Sequence, residues 1–115
     1  MQNTNGFKLI KGERIIDAKG GEVLERGAIL LDGEQIIAIG REEDVIPPEG
    51  AKVEEIVYEN KTVLPGLVDC HVHLNGIGDG RKGDQLNLLP DEVLTLQSAK
   101  NARTHLFSGV TTVRD

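Results

Sequence analysis

Tryptophan is absent, and the only aromatic residues are Phe7, Tyr58 and Phe107. A core in this chain must therefore be aliphatic, and its many Ile, Val and Leu residues suit strands. A single cysteine, Cys70, rules out an internal disulfide and makes a reducing, cytoplasmic compartment the expectation. No apolar run approaches the roughly eighteen residues that a helical span needs, so no membrane partner is expected. The opening M-Q-N-T-N-G lacks the basic and apolar regions of a signal peptide. Basic excess is missing too: 13 Lys and Arg stand against 19 Asp and Glu, a net charge of −6. With the cations scattered, nucleic acid and anionic membrane surfaces are poor candidates for the main partner.

What remains is ordinary for a globular chain: 115 residues, 38% apolar and 28% charged, enough for one modest core. Residues 7–64 read as short strands. F-K-L-I-K and R-I-I-D flank Gly12, and A-I-L-L-D-G-E-Q-I-I-A-I-G reads as a hairpin around Asp32-Gly33, with the chemistry of a type I′ turn. Pro47, Pro48 and Gly50 interrupt the chain before V-E-E-I-V-Y-E-N-K-T-V-L resumes extended structure. Four or five such strands predict part of an antiparallel β-sandwich that cannot close alone.

The pattern changes at Pro65. Residues 66–74 read as a buried strand and 75–89 as a long glycine-bearing loop. From Pro90, a helix start, Val93, Leu96, Ala99 or Lys100, Ala102 or Arg103 and Leu106 follow a helical rhythm. Ser108-Gly109 ends that helix, and V-T-T-V-R-D reads as a second strand. Strand, loop, helix, strand is a βαβ unit with parallel strands. The fold class is therefore α/β, with domains at 1–64 and 65–115.

Inside the apolar stretch L-P-G-L-V-D-C-H-V-H-L stand Asp69, His71 and His73. Alternation along a strand puts all three on one face and Val68, Cys70, Val72 and Leu74 on the other. Two imidazoles at i, i+2 can converge on one ion at Zn–N distances of ~2.0–2.1 Å. Asp69 could then orient a ligand or a bound water. Polar groups in an apolar strand are costly without a partner, and a metal is one. Solvated or hydrogen-bonded strand histidines are the plainer alternative, because H-x-H alone is a common coincidence.

V-L-P-G-L-V-D-C-H-V-H-L resembles the motif that opens the catalytic barrel of the amidohydrolase superfamily of metal-dependent hydrolases. G-V-T-T-V-R-D, residues 109–115, resembles the second-strand motif of its prolidase-like and imidazolonepropionase-like members, and D-G-E-Q-I-I-A-I-G resembles their small β-sandwich domain. The resemblance implies the start of a (β/α)8 TIM barrel, its first two strands and one helix, preceded by part of the sandwich. It implies that His71 and His73 bind a divalent metal, most often Zn2+, as one or two ions, with Asp69 in support. The remaining ligands and the general base, an aspartate, are expected beyond residue 115, so no catalytic residue is assigned here. Metal-activated water would hydrolyse an amide-type C–N bond in a dipeptide or a related cyclic or linear amide.

Alone, the 115 residues are expected to be inactive and to need the rest of their own chain, or another copy, for order. A homo-oligomer is the expected assembly. Arg114 and Asp115 end the second strand, on the face where barrel active sites form, and either contact substrate or form an ion pair. Cys70 reads as a packing residue and His105 as a helix-end or surface group. G-D-G-R-K-G, residues 78–83, formally fits G-x-G-x-x-G, but no helix follows directly, so a loop above the metal site is the simpler reading. The competing hypothesis is a non-catalytic β-rich assembly or binding module.

Overall fold

The structure, a computed structural model, describes residues 6–78 and 88–115. The chain divides into two compact units, Met1–Pro65 and Gly66–Asp115.

The first unit is one four-stranded sheet in the order β3-β2-β1-β4, built from β1 (Phe7–Ile16), β2 (Val23–Asp32), β3 (Gln35–Arg41) and β4 (Val53–Val63). Sequence suggested two strands around Gly12, yet β1 runs straight through it. A Cβ at Gly12 would lie 3.0 Å from Val63 Cγ2, so the glycine serves close packing rather than a turn. The β1–β4 register shifts there: Gly12 faces Tyr58 and Arg14 faces Thr62, with Asn60 at φ 55° in the bulged segment. In the β2–β3 hairpin Asp32 pairs with Gln35, leaving Gly33-Glu34 as the two-residue loop. Only Gly33 has positive φ, which suits a II′ rather than an I′ turn.

The sheet is mixed, not purely antiparallel. β1 pairs antiparallel with β2 but parallel with β4. The cause lies in residues 42–52, which carry the chain from the β3 edge to the opposite edge, so that β4 arrives running in the direction of β1. This crossover drops Val45 onto Leu9, Ala28 and Leu30, forming a buried cluster against which Phe7, Ala38 and Val53 pack. Among the described residues this unit is one sheet, and no second layer completes a sandwich.

Lys11, midway along β1, gathers two carboxylates. Lys11 Nζ lies 2.8 Å from Glu55 Oε1 and 2.9 Å from Glu42 Oε1. Hydrogen bonds to Glu55 and then Glu42 raise the Lys11 ammonium above its ordinary 10.5, and Lys11 in turn lowers Glu42 below its ordinary 4.5. A lowered carboxylate stabilises the fold above its unfolded pKa and loses that contribution as pH falls through the folded value. A raised lysine stabilises below its unfolded pKa and loses that as pH climbs through the folded value. Denaturation profiles should therefore weaken below about pH 4.5 and above about pH 10.5. Lys11→Met should flatten both limbs, modestly and less so in high salt, because all three groups are partly exposed.

The second unit holds β5 (Leu67–Asp69), α1 (Asp91–Phe107) and β6 (Val110–Val113), with β5 and β6 parallel. Pro90 caps α1, and Asp91 and Glu92 in its first turn oppose the helix dipole. Gly109, at φ 93°, turns the chain from helix to β6. The helix packs differently from its apolar rhythm: Leu96 is 72% exposed and Val93 and Leu106 are exposed too. The half-buried positions are Leu94, Gln97, Ser98, Asn101 and His105. His105 thus lies in the last turn, as a helix-end cation would, but not on the open surface. Most of the loop Gly78–Gly83 lies outside the described residues. Among those described, no helix is long and apolar enough to cross a membrane.

Candidate metal centre

The strand expected over residues 66–74 is regular for only three of them. Gly66 starts it because β6 passes close by: a Cβ there would sit 2.7 Å from Thr111 Cβ. Leu67 N–H donates to Gly109 O at 2.8 Å and Arg114 N–H to Asp69 O at 2.9 Å. Val72 N–H then donates to Arg114 O at 3.0 Å. A regular parallel ladder would bring residue 71 to that carbonyl, so one extra residue is accommodated between Asp69 and Val72. Asp69 Oδ1 fills the gap by accepting from His71 N–H at 3.2 Å.

This bulge breaks the expected alternation at Cys70. Cys70 is exposed in this chain, as is Val68 two residues before it. Beyond it the alternation resumes. Val72 is 6% exposed, and the exposed His71 and His73 flank it. Their ring centroids lie 4.9 Å apart with planes at 78°, edge to face.

Two imidazoles in that relation can offer two neutral nitrogen donors to a single ion; nitrogens sharing a tetrahedral zinc sit about 3.4 Å apart. The pair fits half of such a donor set. Among the described residues no group of three or more His, Cys, Asp or Glu side chains converges, so Asp69, Cys70 and Asp115 do not complete it. Asp69 acts on the backbone of its neighbour. Asp115 does the same across the strands, its Oδ1 accepting from Leu74 N–H at 3.3 Å. Arg114 is exposed, and its main chain carries the β5–β6 link.

A tight turn follows the second histidine, closed by Gly76 N–H donating to His73 O at 2.9 Å. Asn101 of α1 reaches this turn: its Nδ2 donates to Leu74 O and to Gly76 O, both at 2.7 Å. Its Oδ1 accepts from Gln97 Nε2 at 3.0 Å. Sequence reasoning overlooked Asn101. The available signal was a Gln-Asn pair at i, i+4 within a helix, a spacing at which the two amides can meet.

Residues 62–115, which include both histidines, match the model of the Amidohydrolase family. That segment is therefore similar to the amidohydrolase superfamily. The imidazolonepropionase of Yersinia pestis (strain Pestoides F) is 37% identical over 75 residues, 64% of this chain and 18% of that protein. Two solved structures share 28% identity: a prolidase complexed with N-methylphosphonate-L-proline and a Xaa-Pro dipeptidase with bound methionine. The first has a TM-score of 0.74 over 95% of this chain and 25% of its own. The second has 0.71 over 94% and 26%. The chain thus spans under a fifth of that imidazolonepropionase and about a quarter of these solved chains.

Proposed function

We infer that this chain carries the opening metal ligands of a metal-dependent amidohydrolase that hydrolyses amide-type C–N bonds. The observation that carries this is the His71–His73 pair, 4.9 Å apart on either side of buried Val72, within the segment that matches the family. Zinc is the ion this reading favours, since paired imidazoles suit it. When bound, such an ion would lower the pKa of water toward about 7 and polarise the carbonyl to be attacked.

The chain's own residues hold that centre in place. Val72 anchors the segment while its two neighbours face outward. Asp69 ties the His71 backbone, and Asp115 ties Leu74 just past His73, so each histidine is pinned at its main chain. The missing ligands and the general base belong to the barrel strands that this reading puts after residue 115, and a completed β-sandwich belongs to the same whole protein. Exposed Val68 and Leu96 support further chain packing there, since these side chains lack cover among the described residues.

Dipeptides and cyclic amides are the substrates this reading puts first, by likeness to proteins named prolidase, Xaa-Pro dipeptidase and imidazolonepropionase. Metal analysis of the full-length protein, followed by a dipeptide and cyclic-amide screen, tests it. Stoichiometric zinc and a chelator-sensitive hydrolysis rate are expected. A metal-free protein that turns over amides, or a zinc protein inert to every amide offered, would count against it.

A further inference from the structure

We propose that Asn101 is a positioning residue for His73, acting through the turn that follows it. The zinc arm of this inference rests on the metal-centre reading above; its geometric arm does not. A carboxamide nitrogen carries two hydrogens, and Asn101 spends both on main-chain carbonyls, Leu74 O and Gly76 O, each at 2.7 Å. Gln97 Nε2, donating to Asn101 Oδ1 at 3.0 Å, fixes which end of the amide faces the turn.

No other short side chain can do this. Aspartate of the same shape would set a carboxylate against two carbonyl oxygens, and alanine would leave both to water. The turn so held is the one that His73 begins: Gly76 N–H closes onto His73 O at 2.9 Å, and a Cβ on Gly76 would lie 3.0 Å from that oxygen and 3.4 Å from His73 Cβ. The turn therefore packs directly on the histidine's own Cα–Cβ unit. Asp115 holds Leu74 N–H from β6 while Asn101 holds Leu74 O from α1. The peptide groups beyond His73 are fixed from two elements at once.

The test compares Asn101→Asp with Thr104→Ala, which removes a hydroxyl bonded only within α1 to Lys100 O. Both are made in the full-length protein. In the metal-free state, the nuclear Overhauser contact between the His71 and His73 ring protons reads the 4.9 Å relation directly. It should persist in the wild type and Thr104→Ala and vanish in Asn101→Asp, while the helix signals of α1 remain. Zinc competition against a chelator should then show a 10–100-fold weaker site in Asn101→Asp alone, the size of loss usual for groups that orient ligands. Should Asn101→Asp unfold, Asn101→Ala replaces it, leaving Leu74 O and Gly76 O to water, with the same expected losses and the same overturning result. Unchanged ring contact in a folded Asn101→Asp, or equal zinc affinity in a zinc-binding wild type, overturns the role of Asn101. A wild type that binds no zinc overturns the metal reading instead, and the ring contact still decides the role of Asn101.

Discussion

Replacing His71 and His73 together by alanine is expected to strip the full-length protein of its zinc and reduce amide hydrolysis to background. Catalytic zinc sites use three protein ligands and an open position, so losing two leaves too few donors to retain the ion. Each single substitution should weaken zinc more than ~100-fold, beyond the 10–100-fold usual when only an orienting neighbour is lost. Stability should hardly move, since both rings are exposed and the neighbouring contacts belong to Val72 and the main chain. Metal analysis, a chelator competition and a thermal melt on the same samples separate these effects. A double variant that keeps zinc and rate would remove the pair from the site.

The second large effect concerns the sheet. Ile15 is fully buried, and a Cβ on Gly27 would come within 2.7 Å of its Cγ1, 2.8 Å of its Cδ1 and 2.9 Å of its Cβ. Glycine is thus what lets β2 pass under Ile15. Ile15→Ala should cost ~2–5 kcal/mol by leaving a cavity. Gly27→Ala should cost ~1–3 kcal/mol by overpacking. The two should not add, because Ile15→Ala removes two of the three atoms that the new methyl would strike. In that background Gly27→Ala should be milder, with an interaction of ~0.5–3 kcal/mol between contacting sites. Urea denaturation of the four proteins measures the cycle, and strict additivity would contradict the packing described.

Much of the fold is legible in local chemistry. The Asp32–Gln35 hairpin, the helix after Pro90 and the β6 run each carry their own signal in turn residues, caps or β-branched side chains. The parallel pairing of β4 does not, because direction depends on how the crossover over 42–52 is routed, and Val45 gives no hint of it in sequence. Gly12 misleads for a related reason: a strand glycine and a turn glycine look alike until Val63 is known to press on it. On α1 the apolar rhythm and the half-buried face differ. Its polar Asn101, held by Gln97, meets the turn after His73, while Leu96 and Phe107 are 72% and 74% exposed.

The candidate centre divides the same way. The adjacency of the two rings follows from an i, i+2 spacing in extended chain. Asp69, on the same reasoning, shares their face, yet its carboxylate bonds the His71 main chain. One extra residue before Val72 undoes the alternation at Cys70, and no local sequence rule announces a bulge there. Asp115 and Asn101 act over separations of 41 and 27 residues, a distance at which sequence pattern alone is silent.

Anomalous X-ray scattering at the zinc edge, from crystals of the zinc-loaded full-length protein, tests the central claim most directly. One peak within ~2.0–2.1 Å of a ring nitrogen from both His71 and His73 is the predicted result. A strong zinc peak bound elsewhere, with these two rings turned to solvent, would contradict it.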